Sequence, residues 1–309
     1  MILLTGATGT VGRALLARLA DSTEPVRCLV RDPRRLGSER VRVQIVLGDL
    51  ADPGSFRNAL RGVDTVIHLA ASIRDQPRGS IEELNGMATM RLVRAAERAG
   101  ARRFVFFSAL GAGPQSSARF MRSKALAAEA VGRADLQATV FHPSIVYTPG
   151  DPWLTLLERL AWLPLVPVSG SGRALYQPIW AEDVADAVLA ALDLPASDER
   201  RAYELAGPQT LSYDDLVRIV LRPAARSRPL LHVPLFAVRA ALRGLERVMG
   251  ASAFATWEEA LLMEEPMTTP RGTADAAALG VTPRRMSAVL GRAPHPRSAG
   301  GASQADALT

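Results

Sequence analysis

Three glycines near the start of the chain have the spacing of a phosphate-binding loop. They form a G-x-x-G-x-x-G pattern between the apolar run Ile2–Leu4 and a stretch with helical periodicity. Glycine is needed there because a side chain would hold the backbone away from a pyrophosphate, while the following helix start offers unpaired N–H groups. A glycine-rich turn is the alternative, but the setting between strand and helix predicts dinucleotide binding. The predicted contacts are Gly6, Thr8, Gly9, Thr10, Val11 and Gly12.

A basic cluster follows the second apolar run. Val26–Val30 is followed by Arg31, Asp32, Pro33, Arg34 and Arg35. A carboxylate at this strand end commonly accepts the ribose hydroxyls of NAD, whereas an arginine suits the 2′-phosphate of NADP. Arg31 together with Arg34 or Arg35 therefore predicts a preference for NADP(H), and Arg31 and Arg35 are the predicted contacts. Asp32 keeps NAD(H) open as an alternative, and a solvated charged turn would explain the cluster without any ligand.

A single lysine, Lys124, stands among 37 basic residues, of which the other 36 are arginine. Arginine would serve a solvated surface equally well. The two residue types differ where a compact ammonium must reach ribose hydroxyls or give up a proton. The use of lysine at this one position therefore predicts that Lys124 has a functional role.

The elements that must position these residues alternate along the first half of the chain. The candidate strands are Ile2–Leu4, Val26–Val30, Val43–Val46, Thr65–Leu69, Arg103–Phe107 and Gln137–Phe141. The candidate helices between them include Gly12–Ala20, Pro53–Leu60 and Leu84–Ala99. This alternation predicts an α/β fold, a Rossmann-like doubly wound parallel sheet with both faces covered.

The pattern changes after residue 150 and divides the chain. Residues 1–150 are predicted to form the nucleotide-binding domain, and residues 174–206 to return to it. Residues 151–173 and 207–292 are predicted to form a smaller C-terminal substrate or lid region, because segments of this kind commonly wall a cleft. Residues 293–309 are small and polar, which predicts a disordered tail.

The charge is concentrated in one half. The chain has 309 residues, 48% hydrophobic, with a net charge of +6. Residues 1–150 carry 21 basic and 13 acidic side chains, a surplus of 8, whereas the remainder carries 16 and 18. This asymmetry favours a phosphate-bearing ligand in the first half over a nucleic-acid partner.

Cysteine usage and hydropathy exclude other classes of protein. Cys28 is the single cysteine, so neither a disulfide framework nor a cysteine metal site is expected, and no metal is predicted. The chain starts without a signal-peptide pattern, and its longest uncharged run, Leu136 to Gly150, is too short to span a bilayer. A cytoplasmic location is therefore expected.

Residues 222–250 predict a basic amphipathic helix. The segment has six arginines and one acid, Glu246, and Arg239, Arg243 and Arg247 recur every four residues beside apolar positions. Such a helix can lie peripherally on the inner face of an anionic membrane or against a protein partner. The alternative is a lid helix over the cleft with an arginine-rich outer face.

Taken together, several short motifs resemble the extended and atypical branches of the short-chain dehydrogenase/reductase superfamily. They are Thr5-Gly6-Ala7-Thr8-Gly9-Thr10-Val11-Gly12, Gly48-Asp49-Leu50, His68-Leu69-Ala70-Ala71, Asn85, Ser108, His142-Pro143-Ser144-Ile145-Val146-Tyr147, Trp180-Ala181-Glu182-Asp183-Val184-Ala185 and Gly207-Pro208-Gln209-Thr210-Leu211-Ser212. The resemblance runs from residue 1 to about residue 290. These branches include NAD-dependent epimerase/dehydratase-like proteins. Within the superfamily the chain most resembles bacterial relatives of the nucleotide-binding accessory subunit of respiratory complex I.

The resemblance implies further site residues. Asp49 and Leu50 would flank the adenine, and Ala70 and Ala71 would line the path to the nicotinamide ribose. Ser108 would face the substrate carbonyl. The remaining cofactor contacts implied by the same motifs are Leu69, Asn85 and Pro143.

The resemblance also reveals a departure at the reacting centre. Reductases of this superfamily place a tyrosine four residues before a lysine, the phenol acting as acid or base while the lysine holds the ribose. Here Phe120 precedes Lys124. Three alternatives follow: Lys124 acts as the acid or base itself, Tyr147 or His142 supplies the proton, or no hydride chemistry occurs. The chain is thus expected to be an oxidoreductase or isomerase for an unknown small-molecule carbonyl or quinone-type substrate, or else a non-catalytic NADP(H)-binding accessory or sensor protein.

Overall fold

The computed structural model describes residues 1–195, 201–222, 228–250 and 255–291. Residues 1–143 contain six strands: β1 Ile2–Thr5, β2 Val26–Val30, β3 Gln44–Leu47, β4 Thr65–His68, β5 Arg103–Phe107 and β6 Gln137–Pro143. The α-helices of this part are α1 Thr10–Leu19, α2 Pro53–Phe56, α3 Ala88–Arg98 and α4 Arg119–Arg133. Every predicted strand is present, because each apolar run is long enough for one buried strand.

The rest of the chain contributes a further strand to the main sheet and takes part in three small two-stranded sheets. Its strands are β7 Val146–Tyr147, β8 Val166–Ser169, β9 Leu175–Tyr176, β10 Ile179–Trp180, β11 Arg201–Leu205, β12 Leu211–Ser212 and β13 Leu230–Val233. Its helices are α5 Pro152–Leu160, α6 Ala181–Asp193, α7 Tyr213–Leu221, α8 Leu235–Met249, α9 Trp257–Leu262, α10 Ala274–Ala278 and α11 Met286–Leu290. The predicted tail at 293–309 lies outside the described residues.

Seven parallel strands form the central sheet in the order β11-β6-β5-β4-β1-β2-β3. The side chains of Ile2–Thr5 are all buried, as expected for a central strand covered on both faces. Helices α1 and α6 pack on one face, and α3 and α4 on the other. The structure confirms the predicted Rossmann-like doubly wound α/β fold.

Two predicted helices differ from expectation. The stretch predicted as Pro53–Leu60 is α2 followed by a 3-10 turn, Arg57–Leu60, because Phe56 leaves helical geometry with φ −108° and ψ −2°. The stretch predicted as Leu84–Ala99 begins with a π-helical turn, Glu83–Met87, before α3. Such turns widen a helix locally and are common at functional sites.

Helix α8 is the amphipathic helix predicted within 222–250, although residues 223–227 lie outside the described residues. None of its residues is fully buried, and Phe236 and Val248 are 78% and 86% exposed. Arg239 stacks on Trp257 of α9, 5.6 Å from its ring centre. Helix α8 thus contacts α9 through Arg239, whereas Arg243 and Arg247 are exposed. Contact of this helix with a membrane or a partner stays a prediction. None of the helices in the described ranges is long and apolar enough to cross a membrane.

Candidate cofactor and active site

The glycine loop packs too tightly for side chains at two of its three glycines. Gly6 has φ +74°, and a Cβ there would lie 2.5 Å from the backbone nitrogen of Ala70. A Cβ at Gly12 would lie 2.1 Å from the Gly6 carbonyl oxygen. These contacts lock β1, the start of α1 and the turn after β4 (Leu69, Ala70 and Ala71) together. The structure thus brings these predicted cofactor residues to one place.

Gly9 has a different role from the other two glycines. It is exposed and caps α1, which starts at Thr10 without a side-chain cap. The first N–H groups of the helix, from Thr10 to Gly12, therefore have no side-chain acceptor within the loop. Unpaired donors at the positive end of a helix are the arrangement that binds a pyrophosphate, so the residues present fit a dinucleotide.

The charged cluster after β2 separates into two kinds of residue. Asp32 Oδ1 accepts the Arg34 N–H at 2.9 Å and so caps the 3-10 helix Pro33–Val41. Arg31 and Arg35 are exposed and form no ion pair with a residue that the structure describes. The carboxylate is already used by the backbone, whereas the two guanidiniums are available for an anion.

Asp49 has an unsatisfied acceptor in the predicted adenine region. Its Oδ1 accepts the Ala51 N–H at 3.1 Å, but its buried Oδ2 has no hydrogen-bond partner and lies 3.8 Å from the guanidinium of Arg78. A buried acceptor without a donor is costly. An amino group of a bound adenine would satisfy it, so Asp49 and the adjoining Leu50 fit the predicted role.

Lys124 and Ser108 meet at the end of β5. Lys124 is 3% exposed, and its Nζ donates to the Phe107 carbonyl oxygen at 2.6 Å. The same Nζ lies 4.8 Å from the ring centre of Phe106 and 5.7 Å from that of Phe120. Ser108 Oγ lies 3.5 Å from the Lys124 carbonyl oxygen. Burial lowers the pKa of the Lys124 ammonium to about 7, so the group can exchange a proton near neutral pH.

Phe120 faces Lys124 from one turn earlier on α4, where the resemblance implies a tyrosine. Its ring packs against the C-terminal apolar cluster that includes Met121 and Tyr147. The ring closes one side of the Lys124 pocket with carbon alone. Neither Phe106 nor Phe120 can exchange a proton with the amine.

Asn85 positions the loop after β4 through its side chain. The Asn85 amide donates to the carbonyls of Ser72 and Ile81, both at 2.7 Å, and its oxygen accepts the Ser72 N–H at 3.0 Å. The side chain is 1% exposed and lies within the π-helical turn Glu83–Met87. Because the amide is occupied, Asn85 holds the loop that would cover the cofactor. Direct contact with the cofactor stays a prediction.

His68 is a site residue to which the sequence analysis assigned no role. Its ring is fully buried, 2.7 Å from the Thr5 hydroxyl and 2.9 Å from that of Thr89. The Thr89 hydroxyl donates to the Asn85 carbonyl, so it accepts from Nε2, and Nδ1 accepts from Thr5. Burial and the nearby Lys124 lower the pKa of His68 to about 3. The feature of the sequence that could have identified this residue is a histidine at the end of an apolar run.

Tyr147 and Pro143 are placed differently from Lys124. Tyr147 is fully buried, and its hydroxyl has no hydrogen-bond partner among the described residues. Burial raises the pKa of this phenol, and its charged neighbours are Asp183 and Arg284. The structure thus gives no support to Tyr147 as the proton donor. The Pro143 carbonyl accepts the Leu110 N–H at 2.9 Å, so Pro143 fixes the turn after β5.

His142 also takes no direct part in this cluster. It pairs with Glu204 in the register between β6 and β11, and it is half-buried. Burial lowers the pKa of its imidazole. This placement at the strand end agrees with a packing role.

The C-terminal segment around α9 closes over the start of α4. Glu259 pairs with Arg74 at 2.5 Å, on the loop after β4. Glu265 accepts from the hydroxyls of Ser116 and Ser117 at 2.9 and 2.6 Å, just before α4. These contacts join the C-terminal region to the loop after β4 and to the turn before α4. That this region forms a wall of the substrate site stays a prediction.

Comparisons with known proteins agree with this geometry. Residues 6–195 match the model of an NAD(P)H-binding family. The chain is 32% identical over 230 residues to the Arabidopsis thaliana mitochondrial NADH dehydrogenase [ubiquinone] 1 alpha subcomplex subunit 9, covering 70% of this chain and 56% of that one. It is 30% identical to the Streptomyces griseus (4-alkanoyl-5-oxo-2,5-dihydrofuran-3-yl)methyl phosphate reductase, covering 80% and 86%. The chain therefore spans little more than half of the plant subunit but most of the bacterial reductase.

A solved structure extends the comparison to the fold. An NADPH-dependent quinone oxidoreductase from Escherichia coli, complexed with NADPH, superposes with a TM-score of 0.74 at 17% identity, covering 94% of this chain and 99% of that one. At this identity the likeness shows the shared fold. The glycine loop and β5 both lie within residues 6–195, the part of the chain that matches the NAD(P)H-binding family. The chain belongs to the NAD(P)H-binding family within the atypical short-chain dehydrogenase/reductase superfamily.

Proposed function

We propose that the chain is an NADP(H)-dependent reductase of a small or lipophilic carbonyl or quinone-type compound. The observation that carries this proposal is the buried amine of Lys124 beside Ser108, at the sheet edge that also holds the glycine loop. Relatives named as reductases support the reaction class. NADPH oxidation in the presence of quinones, enones and aldehydes tests it.

The proposed chemistry divides between cofactor and protein. A bound reduced nicotinamide supplies a hydride, and a carbonyl that accepts it also needs one proton to become a hydroxyl. In this proposal Ser108 donates a hydrogen bond to the substrate carbonyl oxygen, and Lys124 releases the proton. Proton transfer from a positioned side chain typically contributes about 10²–10⁴-fold to a rate.

The preference for NADP(H) is proposed from the cluster after β2. Replacing both Arg31 and Arg35 with alanine is expected to weaken NADPH binding by about 10- to 100-fold, because charge-assisted bonds contribute about 1.5–3 kcal/mol. NADH binding, which involves no 2′-phosphate, should change less than about threefold, on the order of 0.6 kcal/mol. Fluorescence titration of both cofactors measures the effect.

The matched control for this prediction is Arg40→Ala. Arg40 is exposed on the same 3-10 helix and forms no ion pair with a described residue. It should leave both affinities unchanged. Equal affinities of the unmodified protein for NADPH and NADH, insensitive to the double substitution, would contradict the assignment.

The second candidate function is non-catalytic NADP(H) binding for assembly or sensing. Phe120 favours it, because its ring lies where the resemblance implies a phenol. Phe120→Tyr separates the two functions. If the chain is a reductase, the unmodified protein turns over, and the added phenol should raise kcat by about tenfold or more because a second acid then adjoins Lys124. Phe236→Tyr, the same change on exposed α8, should leave kcat unchanged.

The outcome that would favour the second candidate is equally specific. Saturable NADPH binding without NADPH oxidation by the unmodified protein, whatever the acceptor, would remove the reductase proposal. Turnover that appears only in Phe120→Tyr would identify a binding protein that keeps the remainder of a reductase site.

A further inference from the structure

An open cavity of about 560 Å³ lies between the segment 53–60 and helix α3, on the outer surface of the sheet. Four arginines line it, Arg57 from the 3-10 turn and Arg91, Arg94 and Arg98 from α3. We call this cavity the arginine groove. Its volume is typical of a site for a small molecule.

The lining of the arginine groove carries positive charge without carboxylates. Arg91, Arg94 and Arg98 are spaced by three and four residues, which places them on one face of α3. Arg91 pairs with Glu83, outside the lining. Arg57, Arg94 and Arg98 form no ion pair with any residue in the described ranges. Like charges at this spacing destabilise a helix, so an anion in the groove would relieve their repulsion.

Shape and composition indicate the kind of anion. Phe56 and Leu60 line the groove with buried side chains, which form its apolar floor. Several guanidiniums around one small cavity match a ligand with more than one phosphate, because each planar fork binds phosphate oxygens in pairs. A ligand with a single charge would leave most of them unsatisfied.

The arginine groove differs from the cofactor site in its residues. The dinucleotide site uses the glycine loop and the arginines after β2, whereas the groove uses the segment 53–60 and α3. The surplus of 8 positive charges in residues 1–150 therefore has two local concentrations. Only the first is explained by a cofactor phosphate.

We propose that the arginine groove is a second ligand site, which binds an oligophosphate: a small molecule carrying two or more linked phosphates. Free inorganic oligophosphate and a nucleoside polyphosphate share this chemistry. They differ in whether a base also rests on the apolar floor, so a test with both ligands identifies the source.

Inorganic tripolyphosphate and ATP are the probes, titrated by calorimetry into protein saturated with NADPH at physiological salt. NADPH then fills the dinucleotide site and removes it as a competitor. We expect saturable binding of one ligand per chain, weakened at least tenfold in the double variant Arg94→Gln/Arg98→Gln. Equal binding of the two probes would identify phosphate alone as the recognised group, and tighter binding of ATP would identify a nucleoside polyphosphate.

The matched control is Arg243→Gln/Arg247→Gln on α8, which removes the same charge from another exposed helix. It should leave tripolyphosphate affinity within twofold of the unmodified protein. NADPH affinity reports the fold of both variants and should be unchanged. No saturable binding of either probe, or an equal loss in the two double variants, would overturn the proposal, because net charge alone would then explain any attraction.

Discussion

Replacing Lys124 with methionine is expected to lower kcat for NADPH-dependent carbonyl reduction by about 10²–10⁴-fold, the contribution of a positioned general acid. Methionine has a similar length and suits a buried apolar pocket, so the fold should be retained. Lys124 is 3% exposed between Phe106 and Phe120, and its removal abolishes the buried amine at the end of β5. Steady-state kinetics with a saturating acceptor measure the loss, and the melting temperature reports folding.

The pH dependence of kcat identifies how Lys124 acts. Burial lowers the pKa of the ammonium to about 7, and only the protonated amine can donate. In the unmodified protein kcat should therefore fall as pH rises through about 7. The residual rate of Lys124→Met should lack this decline. If Lys124 only holds the ribose, the variant would instead raise KM for NADPH and keep the pH profile of kcat.

Lys124→Arg provides the charged control. Arginine stays protonated because its pKa exceeds about 12, so it keeps the positive charge but cannot donate a proton. We expect Lys124→Arg to remain far below the unmodified protein in kcat. Full activity in this variant would show that a positive charge suffices and would contradict proton transfer by Lys124.

Replacing Gly12 with alanine is expected to abolish NADPH binding and to lower the free energy of unfolding by about 3 kcal/mol, as overpacking does in tight sites. The added Cβ would lie 2.1 Å from the Gly6 carbonyl oxygen and 2.8 Å from Ala7 Cα. Both neighbours are backbone, so the loop itself must move. Urea unfolding and fluorescence titration measure the two effects.

Gly132→Ala is the matched control for Gly12→Ala. Gly132 lies within α4, where an added Cβ meets no atom within 4 Å. Alanine should therefore raise the free energy of unfolding by about 0.5–1 kcal/mol through helix propensity. NADPH affinity should be unchanged. Equal destabilisation by the two substitutions would show that the glycine loop is no more tightly packed than an ordinary helix.

The sequence predicted the strands of the central sheet well, because a short apolar run of strand length can form few other secondary structures. Val26–Val30 and Arg103–Phe107 have the predicted bounds. The helix ends were predicted less well, since they depend on contacts distant in sequence. Within the π-helical turn Glu83–Met87, Asn85 forms hydrogen bonds with Ser72, and no local periodicity encodes that contact.

The site residues differ in the same way: some belong to a local motif that the sequence reveals, whereas others depend on tertiary contacts. The glycine loop has a local signature, so the sequence predicted its position between β1 and α1. Its close approach to Ala70 comes from the fold and was not predicted. The network of His68 with Thr5 and Thr89 joins three separate elements, and it emerges only when β1, β4 and α3 meet. The burial of Tyr147 likewise depends on the C-terminal cluster around it. The sequence motif of the turn that contains Tyr147 does not indicate that this side chain is buried.

The most direct test of the proposed function is anaerobic single-turnover oxidation of NADPH by the unmodified protein, with a panel of aldehydes, enones and quinones. NADPH deuterated on the transferred hydrogen of the nicotinamide provides the mechanistic control. We predict acceptor-dependent loss of the nicotinamide absorbance, slowed by deuterium, and deuterium bound to carbon in the alcohol formed from an aldehyde. NADPH that binds stoichiometrically and is oxidised by none of the acceptors would contradict the assignment of this chain as a reductase.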